Sequence, residues 1–162
     1  MVVIEGDGFV LREWRKSDAK ALSLIANNKN IARNMADTFP FPYTLEDAEN
    51  WIEIANGKEK VKSNFVILID GKVAGGVGFD IKNRNEKGMA SGGYWLGEEF
   101  WGKGIATKVW TLVRDYAFKN FEIHRLGAIV YSWNPASTRV QEKCGFNDIL
   151  PALKDCSLRS QL

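Results

Sequence analysis

The stretch that most constrains this chain is "GGYWLGEEFWGKGIATKVW", residues 92–110, which passes from a strand-like apolar run through a glycine-rich turn into a helix. Ile105, Val109, Leu112, Val113, Tyr116 and Ala117 recur at three- and four-residue spacing, so one face of that helix packs on a sheet and its first turn lies at the sheet's edge. A strand, a glycine turn and a helix start form an anion site, because the first turn presents N–H groups without intrahelical partners at the positive end of the dipole. Two familiar phosphate motifs come close and fail. Gly97 and Gly102-Lys103 have P-loop spacing, but Gly104 stands where a hydroxyl would meet magnesium, and Thr107 comes three positions late. Gly102 and Gly104 begin a dinucleotide fingerprint whose third glycine place holds Thr107, with no surrounding parallel strand-helix-strand unit. Taken alone, the glycines are equally consistent with a tight turn.

The rest of the chain supplies a framework for this junction. "VVIEGDGFVLREW" reads as a strand or short hairpin about Gly6-Asp7-Gly8, and Ser17 is placed to cap a helix ending near Asn27-Asn28. Pro40 and Pro42 force extended backbone through "TFPFPYT", after which Thr44 starts a helix that Gly57 closes. "NFVILIDGKVAGGVGFDI" is a hairpin turning at Asp70-Gly71, and "MASGGYWLG" is the strand that enters the junction. Beyond the junction helix, which runs to about Asn120, come a strand "RLGAIVYSW" and a short helix "PASTRVQEKC" ended by Gly145.

A chain of 162 residues with 45% hydrophobic residues and charges of both signs is one ordinary domain, taken as 1–162. A net charge of +2 without a basic run interleaved with aromatics gives no indication of direct nucleic-acid binding. No apolar stretch approaches the roughly 18 residues of a spanning helix, and "MVVIEGDGFV" has no leader pattern, so a cytoplasmic location without membrane binding is expected. Cys144 and Cys156 form no CxxC pair and have no nearby histidines, which makes them ordinary reduced thiols and leaves no obvious zinc site.

"YWLGEEFWGKGIAT", followed about thirty residues later by "NPASTRVQEKCGF", resembles the acyl-CoA-binding core of the GNAT superfamily of N-acetyltransferases, in the branch of the RimJ/RimL ribosomal-protein N-terminal acetyltransferases. "VLREWRKSDAKAL" and "FPFPYTLEDAENWI" extend the likeness over residues 9–147. The resemblance implies an α+β, three-layer GNAT fold, with a central, mostly antiparallel mixed sheet flanked by helices. It also implies acetyl-CoA as cosubstrate, no metal, and an amine acceptor: a protein or peptide N-terminus first, a small amine (polyamine, amino acid or antibiotic) as the alternative. A non-catalytic acyl-CoA-binding module is the competing class.

Carried onto these positions, the family pattern puts Trp101 at the start of the loop, Gly104 at its glycine and Ala106 at its small residue. The backbone of Gly102, Lys103, Gly104, Ile105, Ala106 and Thr107 would cradle a pyrophosphate without a metal, and the missing magnesium hydroxyl ceases to be a defect. Trp95 and Leu96 would pair with the pantetheine arm, with the strand ending at Trp133 on the other side and an oxyanion donor near Leu96. Asn134 before Pro135 reads first as a helix cap, and Ser137 as a polar residue of the first turn. The family adds a role in holding pantetheine for Asn134, and a role as general acid for Ser137. Phe41, Tyr43 and Asp80 are the candidates on the acceptor side.

Two departures stand out. Ser91 occupies a place where the family commonly has a glutamate, so the base is unassigned; Asp80 begins a loop, and His124, the one histidine, reads as structural, as do Glu142 and Lys143. The stretch 148–162, with Pro151 and no sustained alternation, is short for the family's last two strands. The final hairpin is therefore expected to be missing, with the open edge covered by a second copy in a homodimer or left as a more open pocket.

Overall fold

A computed structural model describes residues 1–57, 61–81, 88–148 and 155–159. Its centre is one mixed sheet. Strands β1 (Val3–Gly6) and β2 (Phe9–Arg12) form the hairpin about Gly6-Asp7-Gly8, and β3 (Asn64–Ile69) and β4 (Lys72–Ile81) form the second. The second hairpin turns where expected, with Asp70 at φ 50° and Gly71 at φ 74°. β5 (Met89–Leu96) follows antiparallel to β4, and β6 (Arg125–Ile129) lies parallel to β5. β7 (Asn147–Asp148) and β8 (Asp155–Arg159) complete the spatial order β1-β2-β3-β4-β5-β6-β8-β7.

The final hairpin is thus present, which corrects the expectation from 148–162. β8 pairs antiparallel with β6 from Arg125↔Arg159 to Ile129↔Asp155, and β7 pairs with β8. The sequences of β7 and β8, "ND" and "DCSLR", carry no β-branched or aromatic residue to reveal them, and the edge of β6 offered to a second copy is already covered. Pro151 and the stretch 149–154 lie outside the described residues.

Helices fill both faces. α4 (Ile105–Asn120) lies on one, where Val109, Trp110, Val113 and Ala117 pack with Leu11, Phe65, Phe79 and Leu126 in the larger core. On the other face, α1 (Ala19–Ala26) and α3 (Leu45–Ala55) bury Leu22, Ala48 and Ile52 against Trp14, Tyr43 and Val66. Thr44 caps α3 as expected: its hydroxyl accepts from Asp47 N at 3.1 Å, and the Asp47 carboxylate accepts from Thr44 N at 2.8 Å.

The entry to α1 differs from the sequence reading. Ser17 gives no cap; a 3-10 turn over Lys16–Asp18 precedes the helix, and the Asp18 carboxylate accepts from Arg15 N at 2.8 Å and from both Arg12 guanidinium nitrogens at 2.7 and 2.9 Å. Burial pushes this carboxyl up, but its hydrogen bonds to Arg12 and Arg15 and their positive charge outweigh burial and hold it below the ordinary value. Asn28 caps a further short helix, α2 (Lys29–Ala32), which the sequence reading did not include. α5 (Pro135–Lys143) begins at the expected proline.

Candidate active site

The site begins where two parallel strands part. β5 and β6 pair only at Met89↔Arg125, Ala90↔Leu126 and Ser91↔Gly127, after which β6 ends at Ile129 instead of running to Trp133. β5 continues against β4 up to Gly75↔Leu96. Gly97 N donates to Ala74 O of the β4 side at 2.7 Å, so by strand alternation the C=O of Gly92, both backbone groups of Tyr94 and the N–H of Leu96 face the gap, the Gly92 N–H being used in the last parallel bridge to Gly127. The Leu96 carbonyl is taken, accepting from Trp101 Nε1 at 2.8 Å. Trp95 turns its backbone toward β4 and its ring onto the other face, edge-on to Phe39 with centroids 6.0 Å apart.

The glycine junction sits at the mouth of this gap. Gly97 is buried against Ile25, whereas Gly102 and Gly104 are exposed, with φ 72° and 75° and open space where a side chain would begin. Both adopt the left-handed conformation that a side chain disfavours. Gly104 is the N-cap of α4, and no side chain caps this end. The N–H groups of Ile105, Ala106 and Thr107 consequently lack intrahelical partners at the head of a 16-residue dipole. Lys103 is exposed, its ammonium 5.8 Å from the centroid of the Phe100 ring. Among the described residues no three His, Cys, Asp or Glu side chains gather as a metal site.

A hydroxyl pair closes the gap from the α5 side. Asn134 Oδ1 accepts from Ser137 N at 3.3 Å, the cap that the Asn-Pro pair implies. Ser137 Oγ lies 3.2 Å from Tyr94 Oη. Burial raises the Tyr94 phenol to about 12, against the opposing effect of its Ser137 hydrogen bond. The sequence reading passed over Tyr94. The available signal was alternation: Tyr94 shares the face of Ala90 and Leu96 and points toward α4, next to the glycine loop.

The acceptor-side candidates separate. Tyr43 is 7% exposed and part of the smaller core, with its phenol raised to about 12, chiefly by burial. Phe41 is 51% exposed. Phe39, two residues before Phe41, lies 5.1 Å from the Tyr43 ring and links that ring to Trp95. Asp80 pairs with Ser91 at the level where β5 and β6 begin to part and is exposed. Gly93 faces open space, whereas its partner Gly78 is covered by the Asn64 side chain, so the bare part of the sheet is confined to Gly93. His124 is remote, at the closed end of the parallel pair, donating its backbone N–H to Gly88 O at 2.7 Å. Glu142 and Lys143 are exposed on α5.

The rim is held by contacts that sequence spacing does not announce. The Glu98 carboxylate accepts from Asn28 Nδ2 at 2.8 Å and from Asn30 Nδ2 at 3.0 Å. Across the gap, Trp133 stacks on Tyr131 at 4.5 Å and donates from Nε1 to Arg33 O at 3.2 Å. The geometry offers an anion cradle, a short row of free backbone groups at the end of β5 and a half-buried hydroxyl pair.

Known proteins share this sequence pattern and fold. The uncharacterized N-acetyltransferase YoaA of Bacillus subtilis (strain 168) is 27% identical over 89% of this chain and 82% of its own length. The microcin C7 self immunity acetyltransferase MccE, solved in complex with acetyl-CoA and AMP, is 28% identical over 94% of this chain and 93% of its own, with a TM-score of 0.74. RimL, the ribosomal L7/L12 alpha-N-protein acetyltransferase solved with coenzyme A, shares the fold at a TM-score of 0.81 and 19% identity over 98% of each chain. The sequence model of the acetyltransferase (GNAT) domain matches residues 9–147, and the chain belongs to the GNAT family of acetyltransferases.

Proposed function

We propose that this protein transfers the acetyl group of acetyl-CoA to a primary amine, that of a protein or peptide N-terminus, by direct attack with both substrates bound. The observation that carries the reading is the parting of β5 from β6 directly onto the uncapped start of α4. The residues fit the cosubstrate. Ile105, Ala106 and Thr107 would give N–H groups to its pyrophosphate, with Gly102 and Gly104 allowing close approach. Tyr94 and Leu96 would meet the pantetheine arm through backbone groups, and Asn134 would border it. Acetyl-CoA supplies an activated acetyl thioester.

The chain's own groups then have defined tasks. The Leu96 N–H, aimed into the gap, would stabilise negative charge on a carbonyl oxygen. Ser137 Oγ would hold and deliver a proton at the end nearest α5. Asp80 and Ser91 border the acceptor side without a buried carboxylate, so the incoming ammonium would lose its proton through ordered water.

The rim favours a chain terminus over a polyamine. A polycation calls for several free carboxylates, but Glu98 is engaged by two asparagines, and Lys29, between those asparagines in sequence, and Arg33, whose carbonyl meets Trp133, are exposed. The open floor at Gly93 and the exposed ring of Phe41 suit an extended peptide. The proposed setting is the cytoplasm, and among the described residues no helix is long and apolar enough to cross a membrane. Thiol release measured over a panel of peptides and small amines tests the reading. Turnover of peptides above all small amines is expected; turnover confined to polyamines, amino acids or antibiotics overturns the acceptor, and coenzyme A binding with no turnover of any amine would identify a binding module.

A further inference from the structure

We propose that Tyr94 is a positioning residue for Ser137 that also resupplies its proton, so that β5 and α5 form a two-hydroxyl relay at the gap. The inference rests on the reading of Ser137 as the proton donor in acetyl transfer. The two oxygens stand 3.2 Å apart although their residues are 43 positions apart in sequence. Each is fixed from behind. Ser137 N is held by Asn134 Oδ1 at 3.3 Å, and Tyr94 is paired with Val77 in the β4 ladder.

The ring of Tyr94 lies 6.4 Å, centroid to centroid, from that of Trp110 on α4. Trp110 is itself locked, fully buried, with Nε1 donating to Gln141 Oε1 of α5 at 2.7 Å. A buried frame of β5, α4 and α5 thus holds both hydroxyls. Phenylalanine would supply the same packing, so the phenol oxygen is the part that packing leaves unexplained, and its recorded partner is Ser137. With burial raising it to about 12, the phenol stays protonated through the neutral range.

The proton balance closes. Ser137 Oγ gives its proton to the sulfur as the C–N bond forms and the C–S bond breaks, and it takes one from Tyr94 Oη. The phenolate takes up, through water, the proton that the acceptor nitrogen releases. Amine and thioester become amide and thiol, with no proton left over.

The test compares the wild type with Tyr94→Phe, Ser137→Ala and the double variant. Thiol-release kinetics, coenzyme A affinity by calorimetry and tyrosine ionisation by ultraviolet titration are measured on each. Tyr94→Phe is expected to lower kcat by about tenfold to a hundredfold, with KM values and coenzyme A affinity within about twofold. The double variant should be no slower than Ser137→Ala. Ser137→Ala should also move the ionisation assigned to Tyr94 upward, a readout that needs no turnover.

Tyr94→Phe within about twofold of wild-type kcat, while Ser137→Ala is impaired, overturns the relay and leaves the proposed function standing. Additive losses in the double variant, or parallel loss of coenzyme A binding in Tyr94→Phe, also overturn it. Full activity in Ser137→Ala removes the donor on which both rest. A wild type that binds coenzyme A but acetylates no amine sinks the proposed function, and an unmoved Tyr94 ionisation in Ser137→Ala then sinks the hydroxyl coupling as well.

Discussion

The two faces of the sheet do different work with different materials. On the α4 side the part that would hold the cosubstrate is made mostly of backbone, with the Tyr94–Ser137 hydroxyl pair beside it: two left-handed glycines, an uncapped helix start and a strand whose free backbone groups face a gap. On the α1 and α3 side it is made of side chains: Phe39 against Trp95, Asn28 and Asn30 on Glu98, Trp133 on Arg33. A backbone site tolerates exchange of most side chains but not of the residues that permit its conformation. A side-chain site changes with each residue and depends on the packing beneath it.

The strongest way to break the comparison attacks the foundation of the side-chain half. Asp18→Ala leaves the Arg12 guanidinium, only 12% exposed, without its partner, and should cost about 3 kcal/mol of stability in urea unfolding. Because the folded Asp18 carboxyl lies below its unfolded value, its stabilisation is present at neutral pH. That contribution is lost as pH falls through the unfolded value of about 4 toward the folded one. Asp18→Asn should lack this part of the acid dependence.

Next comes the backbone half. Gly104→Val, at φ 75° and facing the cradle, should weaken acetyl-CoA binding on the order of a hundredfold in calorimetry, from strain together with blocked approach. Gly97→Ala sharpens the contrast. Its Cβ would lie 2.5 Å from Ile25 Cδ1, so about 1 kcal/mol of stability should be lost as that flexible end shifts, while acetyl-CoA affinity of the folded protein changes little.

Smaller effects follow at the surface. Trp133→Ala, which removes a 54% exposed ring and its tie to Arg33, should raise KM for the acceptor about threefold to tenfold with acetyl-CoA affinity unchanged. Lys103→Ala, with its ammonium in solvent beside Phe100, should change acetyl-CoA affinity by less than about threefold in the same assay.

The same division explains how much could be read from the sequence. Glycine placement, helix period and the Asp-Gly turn are local properties, so β3 to β5, α4 and the cap of α5 fell where the residues put them. The Asn134 cap and the exposed start of α4 needed no knowledge of distant partners. Tyr94 with Ser137, Glu98 with Asn28 and Asn30, and Trp133 with Arg33 join residues far apart in sequence, and no local pattern announces them. Tyr43 shows the converse: an aromatic loop suggests a rim, but only the packing tells which rings fill the core. β7 and β8 escaped because "ND" and "DCSLR" contain no β-branched or aromatic residue, unlike the short β1, β2 and β6.

The bond from Trp101 Nε1 to the Leu96 carbonyl has a consequence for what the gap can accept. An added strand could in principle slide along β5 by two residues and find the same pattern of donors and acceptors again. With that carbonyl occupied, the row ends at the Leu96 N–H, just before the turn toward Gly104. With acetyl-CoA bound as proposed, the indole would act as an end stop: it would set the distance between the last amide of the guest and the phosphate grip, so that reach would depend on a tryptophan outside the strand and not on the strand itself.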